Sequence, residues 1–242
     1  MKDTTQGLWQ TLRAQLSDIA GQYPRAALAS SLAAEDMVLT HAIFDARLPI
    51  ALFTLDTGRL HPETLALIDT IRGHYGKDIE VWQPDAPAVA NHVAEHGAFA
   101  FYESVALRKA CCQLRKIEPL RRALAGRDAW ITGQRREQSA TRGALDEHET
   151  DPLTGLPKFN PLAGWGHEDV WEVIRHFGIP YNPLHDKGYP SIGCEPCTRA
   201  VKPGEDLRAG RWWWENADSR ECGLHAGNLR TQAPRVSAGA RP

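Results

Sequence analysis

The sequence predicts an α/β fold in which helices flank a mostly parallel β-sheet. Through the first half of the chain, short apolar runs alternate with stretches that have helical spacing. This alternation is typical of parallel sheets, because each parallel connection needs a helix to return the chain to the same edge. After about residue 150, loops rich in proline and glycine surround one further helical segment. We therefore expect a loop-rich C-terminal part that wraps the end of the sheet.

The predicted elements are taken in chain order. Leu8, Leu12, Leu16 and Ile19 have the spacing of one helix face and predict a helix over 7–20. Apolar runs predict strands at 26–29, 50–56, 79–83 and 129–133. Helical patterns follow at 33–41, 61–76, 86–96, 103–125 and 167–177. There is no internal repeat, so a single domain of residues 1–225 and a flexible tail of residues 226–242 are expected.

Composition limits the class of protein. The chain has 242 residues, of which 42% are hydrophobic and 24% charged, with a net charge of -2. These values are ordinary for a globular protein and argue against nucleic acid as a partner. The longest apolar stretch, 48–55, is too short to cross a membrane, and the N-terminus has no apolar signal region. We expect a cytoplasmic protein, in which five cysteines indicate metal binding or redox catalysis instead of disulfides.

Three loops at the predicted carboxyl ends of strands carry side chains suited to an anion. These loops are Ser30–Ser31, Asp56–Arg59 and Gly133–Arg136. A helix that begins directly after a hydroxyl-rich turn offers free N–H groups to phosphate or sulfate. Guanidinium groups bind the same oxygens in pairs, and Arg59, Arg135, Arg136 and Arg142 are candidates. Helix capping by the serines and ordinary surface arginines are the alternatives.

The cysteines form two pairs and a single residue. Cys111–Cys112 lie in a helical stretch, and Cys194 and Cys197 lie in a loop. Four thiolates suit zinc or an iron-sulfur cluster, and both stay open at this point. A cluster is favoured, because adjacent helical cysteines reach one tetrahedral ion awkwardly but bind different irons of a cubane easily. The cations at 108, 109, 115 and 116 would offset the charge of the thiolates.

Cys222 stands apart in the polar segment SRECGLH, 25 residues after Cys197. Nearby cations, Arg208, Arg211, Arg220 and His225, would lower the pKa of its thiol and attract an anionic substrate. The pattern favours a nucleophile over an incidental exposed cysteine.

Together these segments resemble the family of adenylyl-sulfate and phosphoadenylyl-sulfate reductases over about residues 26–225. The resemblance rests on SSLAAED, LDTGRLHPET, TGQRREQSATR, KFNPLAGW, YNPLHDKGYPSIGCEPCTR and RAGRWWWENADSRECGLH. One departure is Ala33, where the family often has glycine. The four paired cysteines are typical of the cluster-bearing, assimilatory branch, which generally uses adenylyl sulfate.

The resemblance implies a fold of the PP-loop (adenine nucleotide alpha hydrolase-like) type, with a nucleotide-binding core at about 20–150 and a cluster-binding, catalytic part at about 151–225. It implies one 4Fe-4S cluster on Cys111, Cys112, Cys194 and Cys197, and Cys222 as the catalytic nucleophile. A thioredoxin-like dithiol protein is the implied reductant. The implied substrate-binding residues are Ser30, Ser31, Asp56, Thr57, Arg59, Gly133, Arg135, Arg142, Lys116, Arg208, Arg211 and His225.

Several alternatives stay open on sequence alone. The chain would be a phosphoadenylyl-sulfate or dual-substrate reductase if its pocket accepts a 3′-phosphate. An ATP-dependent tRNA thiolase of the PP-loop group usually has an SGGxDS-type loop, whose paired glycines SSLAAED lacks. A zinc-stabilised binding module is a third hypothesis. The oligomeric state is not determined by the sequence, and a homo-oligomer is left open.

Overall fold

The computed structural model describes residues 1–138 and 145–216. Within these ranges six strands form one sheet and helices pack on both of its faces. The helices are α1 Asp3–Gln22, α2 Ala34–Asp45, α3 Pro62–Tyr75, α4 Ala86–His96, α5 Val105–Cys112, α6 Glu118–Leu124 and α7 His167–Phe177. The strands are β1 Ala27–Ser30, β2 Ala51–Leu55, β3 Glu80–Trp82, β4 Trp130–Ile131, β5 His148–Thr150 and β6 Pro157–Phe159.

The strand order is β3-β2-β1-β4-β6-β5, and every neighbouring pair is parallel except β5 and β6. In the centre, Ala27 of β1 lies opposite Ala51 of β2 and Trp130 of β4. Because these three strands are parallel, their carboxyl ends meet at one edge of the sheet. The loops that carry Ser31, Thr57 and Gly133 therefore begin side by side.

Alternate residues of the central strands pack on opposite faces. Leu28, Leu52 and Ile131 belong to the larger core, with buried residues of α1, α2, α3 and α7. Phe53 and Trp130 face the other way and pack against α6. This two-residue period explains why strands buried on both sides are apolar at nearly every position.

The predicted fold class is confirmed, and one local expectation was wrong. The predicted helical stretch 103–125 is helical from Val105 to Leu124, with a π-helical segment at Gln113–Ile117 between α5, which ends at Cys112, and α6, which begins at Glu118. The region expected to be only loops and one helix contains β6, a strand of three residues. The sequence does not predict β6, because Pro157 and the glycines around it are typical of a loop. In the structure, pairing with β4 and β5 holds this segment in an extended conformation.

In the part of the chain that the structure describes, no helix is both long and apolar enough to cross a membrane.

Candidate active site

A cavity lies at the carboxyl edge of the sheet, where β1, β2 and β4 end. We call it the sheet-edge cavity. Part of its lining is apolar and comes from Ala29, Phe53, Leu55, Leu120 and Trp130. The lining also includes many of the predicted binding residues: Ser30, Ser31, Thr57, Lys116, Gly133, Arg135, Arg208 and Arg211. Open α/β sheets bind their ligands at this edge, so the structure brings these residues to the expected place.

The loop between β1 and α2 is held by its own side chains. The backbone N–H and the hydroxyl of Ser31 both donate to Oδ2 of Asp36, each at 2.6 Å. The N–H of Leu32 donates to Ser30 Oγ at 3.2 Å. Leu32 adopts a left-handed conformation with φ 62, whereas Ala33 has an ordinary φ of -77. The absence of glycine at position 33 is therefore accommodated, because the left-handed residue is Leu32.

Asp36 also joins this loop to the one after β4, because its carboxylate lies against Gly133. Burial raises the pKa of Asp36 to about 6, and the nearby donor groups of Ser31 and Gly133 partly offset this rise. The two loops are so close that a Cβ on Gly133 would lie 2.3 Å from Asp36 Oδ1 and 3.1 Å from its backbone nitrogen. Only glycine fits at position 133 without displacing Asp36.

We expect Gly133→Ala to lower the free energy of unfolding by about 1–3 kcal/mol, because the added methyl group overpacks a buried contact. Urea unfolding followed by circular dichroism measures the change. Gly73→Ala is the matched control: Gly73 is in α3, and a Cβ there would meet nothing within 4 Å. That variant should be neutral or slightly more stable. Equal stability of Gly133→Ala and wild type would contradict the close approach seen here.

Arg135 lines the sheet-edge cavity, but its guanidinium is bound within the protein. It is 2% exposed. Its Nε donates to Glu35 Oε1 at 2.9 Å, and its Nη1 donates to Glu137 Oε2 at 2.8 Å. A second contact from Nη1 reaches the carbonyl of Trp165 at 3.2 Å. Two carboxylates therefore offset the charge of Arg135 in this structure.

The predicted binding residues in the loop after β2 face different parts of the protein. Asp56 accepts hydrogen bonds from the Gly58 N–H at 2.9 Å and from Gln83 Nε2 at 2.8 Å, and it does not line the cavity. Arg59 points elsewhere, because its guanidinium donates to the carbonyl of Ala98 and lies over the rings of Phe99 and Phe101. Of the predicted binding residues in this loop, only Thr57 lines the sheet-edge cavity.

Lys116, Arg208 and Arg211 supply cationic groups to the same cavity. Arg211 is 7% exposed, and its Nη1 donates to the carbonyl of Ile192 at 3.0 Å. Gly193 permits this position, since a Cβ there would lie 2.3 Å from Arg211 Nη2. Among the described residues, Arg211 makes no ion pair with a carboxylate and its Nε has no hydrogen-bond partner. A buried cation of this kind suits an anionic ligand.

A second cavity, the cysteine cavity, contains all four paired cysteines. Its lining is Arg59, Phe101, Arg108, Cys111, Cys112, Arg115, Lys116, Cys194, Cys197 and Trp212. Cys194 and Cys197 are buried and pack with Phe101 and Trp212. Thr57 Oγ1 lies within hydrogen-bonding distance of Cys194 Sγ, at 3.2 Å. Two pairs separated by more than 80 residues in sequence thus face one enclosed space.

The π-helical segment shapes the wall of the cysteine cavity. Cys111 and Cys112 end α5, and Arg115 and Lys116 follow within the wider π-turn. Arg115 is buried, and its Nη1 donates to the carbonyl of Thr57 at 2.8 Å. π-Helical insertions frequently occur at functional sites, because the extra residue redirects the side chains around it. Here cysteines and cations from one helical stretch line the same space.

The donor set fits a metal centre that binds thiolates. Burial raises the pKa of Cys111 and brings that of Cys197 to about 12, so these thiols are neutral without a metal. Coordination would remove their protons. Arg59, Arg115 and Lys116 are placed to balance the resulting charge, whereas Lys109, also expected to do so, is exposed and lies outside the cavity. Among the described residues, no group of three His, Cys, Asp or Glu side chains is arranged to hold a single metal ion.

The two cavities share a wall. Lys116 and Trp212 line both of them. Trp212 is 1% exposed and its ring lies between two guanidiniums, 4.8 Å from that of Arg108 and 4.7 Å from that of Arg211. Arg108 is paired in turn with Glu215 at 2.8 Å. The sheet-edge cavity and the cysteine cavity are therefore direct neighbours.

Three predicted site residues, Arg142, Cys222 and His225, and the predicted tail 226–242 lie outside the described residues. Two residues of the site had not been singled out from sequence. Asp36 joins the loops of β1 and β4, and Gln134 is a buried amide that lines the sheet-edge cavity. The sequence feature that could have identified Asp36 and Gln134 as site residues is their position, because both lie in segments that follow a predicted strand.

A parallel α/β sheet with hydroxyl, glycine and basic residues at its carboxyl edge defines a nucleotide-binding protein of the PP-loop type. The family model described as "Phosphoadenosine phosphosulfate reductase domain" matches residues 25–200. The chain therefore belongs to this family, and the predicted membership is confirmed.

Relatives with curated names cover nearly the whole chain. An "Adenosine 5'-phosphosulfate reductase" of Burkholderia cepacia is 57% identical over 96% of this chain and 92% of its own length. One of Allochromatium vinosum is 56% identical over 90% of this chain and 86% of its own. The crystal structure of a phosphoadenylyl-sulfate reductase from Candida auris has a TM-score of 0.68 at 24% identity and covers 83% of this chain and 98% of that one. At that identity the likeness establishes the shared fold.

Proposed function

We propose that this protein reduces adenylyl sulfate to sulfite and AMP, in the assimilation of sulfate for cysteine biosynthesis in the cytoplasm. The observation that carries the proposal is the shared wall: a sheet-edge cavity suited to a nucleotide adjoins a cavity with four cysteines, and Lys116 lines both. Relatives more than 50% identical are named for this reductase, which favours it over a tRNA thiolase.

The lining of the sheet-edge cavity matches the parts of this substrate. Its apolar residues, among them Phe53, Leu55 and Trp130, offer a surface for the adenine ring. Lys116, Arg208 and Arg211 offer charge-assisted hydrogen bonds to the phosphate and sulfate oxygens. We infer that Arg142 and His225 add to this set.

In the first chemical step the Cys222 thiolate attacks the sulfur of the sulfate group. A bond forms between the cysteine sulfur and the sulfate sulfur, and the bond from that sulfur to the bridging oxygen breaks. AMP leaves with the electron pair of the broken bond, and Cys222 carries a thiosulfonate. The cations of the sheet-edge cavity stabilise the charge that develops on the departing phosphate.

In the second step a thioredoxin-type dithiol supplies two electrons. Its thiolate attacks the Cys222 sulfur, sulfite leaves with the electron pair of the sulfur–sulfur bond, and a mixed disulfide forms. The second thiol of the partner then displaces Cys222, which returns as a thiolate. Cys222 must meet first the nucleotide and then a protein, so the scheme requires its segment to move.

The four cysteines of the cysteine cavity are the proposed ligands of one 4Fe-4S cluster. When bound, the cluster supplies a structural link between the two cysteine pairs and an electrostatic element beside the substrate. Among the described residues, Lys116 is the cation that lines both cavities.

The activity test measures sulfite release with reduced thioredoxin from adenylyl sulfate and from its 3′-phosphorylated form. We expect kcat/KM to be at least about tenfold higher for adenylyl sulfate. The expectation rests on the complete set of four cysteines, which is typical of the branch that uses this substrate. Equal values would favour a dual-substrate enzyme, a reversed ratio would favour a phosphoadenylyl-sulfate reductase, and no sulfite from either would refute the proposed activity.

A further inference from the structure

The side-chain amide of Gln134 is a buried polar group that the proposed reaction does not use. Gln134 follows Gly133 in the loop after β4, lines the sheet-edge cavity and is 4% exposed. Neither its Oε1 nor its Nε2 has a hydrogen-bond partner among the residues that the structure describes. Leaving both atoms unpaired in a buried position is costly, because each loses the hydrogen bonds that water gives it in the unfolded chain.

The other buried amides among the described residues, Asn160 and Asn182, are paired. Asn160 Nδ2 donates to the carbonyl of Asp146 at 2.8 Å, and Asn182 Nδ2 donates to Thr64 Oγ1 at 2.8 Å. Within the same cavity, Gln138 Oε1 accepts from the N–H of Arg135 at 3.2 Å. Gln134 therefore differs from these amides in having both polar atoms unpaired, which points to a ligand as their partner.

The hydrogen-bonding properties of an amide indicate which part of a bound nucleotide would pair with Gln134. One atom of the amide only accepts hydrogen bonds and the other only donates them. Phosphate and sulfate oxygens are acceptors, so they would leave Oε1 unpaired next to negative charge. The adenosine half offers both kinds of group: the adenine edge has an amino donor beside ring nitrogens, and each ribose hydroxyl donates and accepts. This argument holds whichever atom of the amide is the oxygen.

The surroundings of Gln134 agree with an uncharged partner. The next residue, Arg135, is neutralised by Glu35 and Glu137, and the preceding Gly133 lies against the carboxylate of Asp36. This loop therefore brings little net positive charge to the cavity. Arg211, which makes no ion pair with a carboxylate among the described residues, comes from another segment of the chain.

We propose that Gln134 recognises the adenosine half of the substrate through paired donor and acceptor contacts and is a specificity-determining residue of this site. The inference rests on the proposed function, since it takes an adenine nucleotide as the ligand. The group of the nucleotide that binds the Gln134 amide is either a ribose hydroxyl or the edge of the adenine ring. The experiment below distinguishes these two groups.

The test measures AMP affinity by calorimetry on the full-length, iron-loaded protein. Gln134→Met keeps the length of the side chain and removes both hydrogen-bonding atoms, and we expect it to raise the Kd for AMP about tenfold. Gln134→Glu keeps the shape but loses the donor, and a similar rise is expected. Gln10→Met is the control, because Gln10 is exposed on α1 and distant in sequence from the site. Thermal unfolding and iron content verify that each variant is folded.

Three analogues locate the contact: 2′-deoxy-AMP, 3′-deoxy-AMP and purine riboside monophosphate, which lacks the amino group. The difference between wild type and Gln134→Met should disappear for the analogue that lacks the partner group. An unchanged Kd for AMP in both Gln134 variants would overturn the inference, and so would a tenfold difference that persists with all three analogues. Wild-type protein that fails to bind AMP would overturn the proposed function as well. If wild type binds AMP and releases sulfite, the proposed function holds, and the Gln134 variants then test this inference alone.

Discussion

Cys222→Ser is expected to reduce sulfite production by about 10³-fold or more, while iron content and nucleotide binding stay unchanged. A serine hydroxyl is a poor nucleophile at neutral pH, and loss of a nucleophile has effects of this size in other enzymes. Cys222 is separate in sequence from both cysteine pairs, and those four thiols already line one cavity without it. The chemistry and the cluster should therefore depend on different cysteines.

The measurement combines sulfite release, iron analysis and AMP binding on the same preparation. Ser219→Ala, three residues away in the same segment, is the matched control and should stay active. Incubation of wild type with substrate and no thioredoxin should add the mass of one SO3 group to the peptide that contains Cys222, and a dithiol should release it. An adduct on another cysteine, or an active serine variant, would show that the central step is wrong.

Replacing any one of Cys111, Cys112, Cys194 or Cys197 with serine should bleach the protein and lower its iron from about four atoms per chain to nearly none. The reason is geometric: the four thiols face one enclosed space from two distant segments. Loss of one ligand would leave an incomplete donor set, and binding energy that supports the folded state would be lost with the metal. We therefore also expect a lower melting temperature.

Iron and acid-labile sulfide analysis of anaerobically purified protein checks this prediction, together with the broad absorption in the blue. Cys222→Ser serves as the matched control, because it removes a thiol from outside the cysteine cavity and should keep the colour. Wild-type protein that contains zinc and no iron would contradict a cluster and would favour the zinc-stabilised alternative.

The fold class, the order of most elements and the grouping of the cysteines could be predicted from the sequence alone. Periodicity was enough for α7, whose predicted and observed limits agree, since its apolar face repeats clearly along one helix. The loops of Ser31, Thr57 and Gly133 could be placed at one edge, because parallel strands force their carboxyl ends together. The two cysteine pairs could be matched because thiolates in this pattern have few other uses in a reducing compartment.

The pairing of individual polar side chains could not be predicted from the sequence and is visible only in the folded protein. Arg135 and Arg211 look alike in sequence and both line the sheet-edge cavity, yet Arg135 is paired with two carboxylates whereas Arg211 makes no ion pair with a carboxylate among the described residues. The requirement for glycine at position 133 comes from Asp36, almost a hundred residues earlier, and the sequence does not reveal that the amide atoms of Gln134 are buried without a hydrogen-bond partner among the described residues. The physical reason is the same in each case: periodicity reports the burial of apolar side chains, whereas charge pairing and hydrogen-bond satisfaction depend on neighbours that the fold brings together from distant parts of the chain.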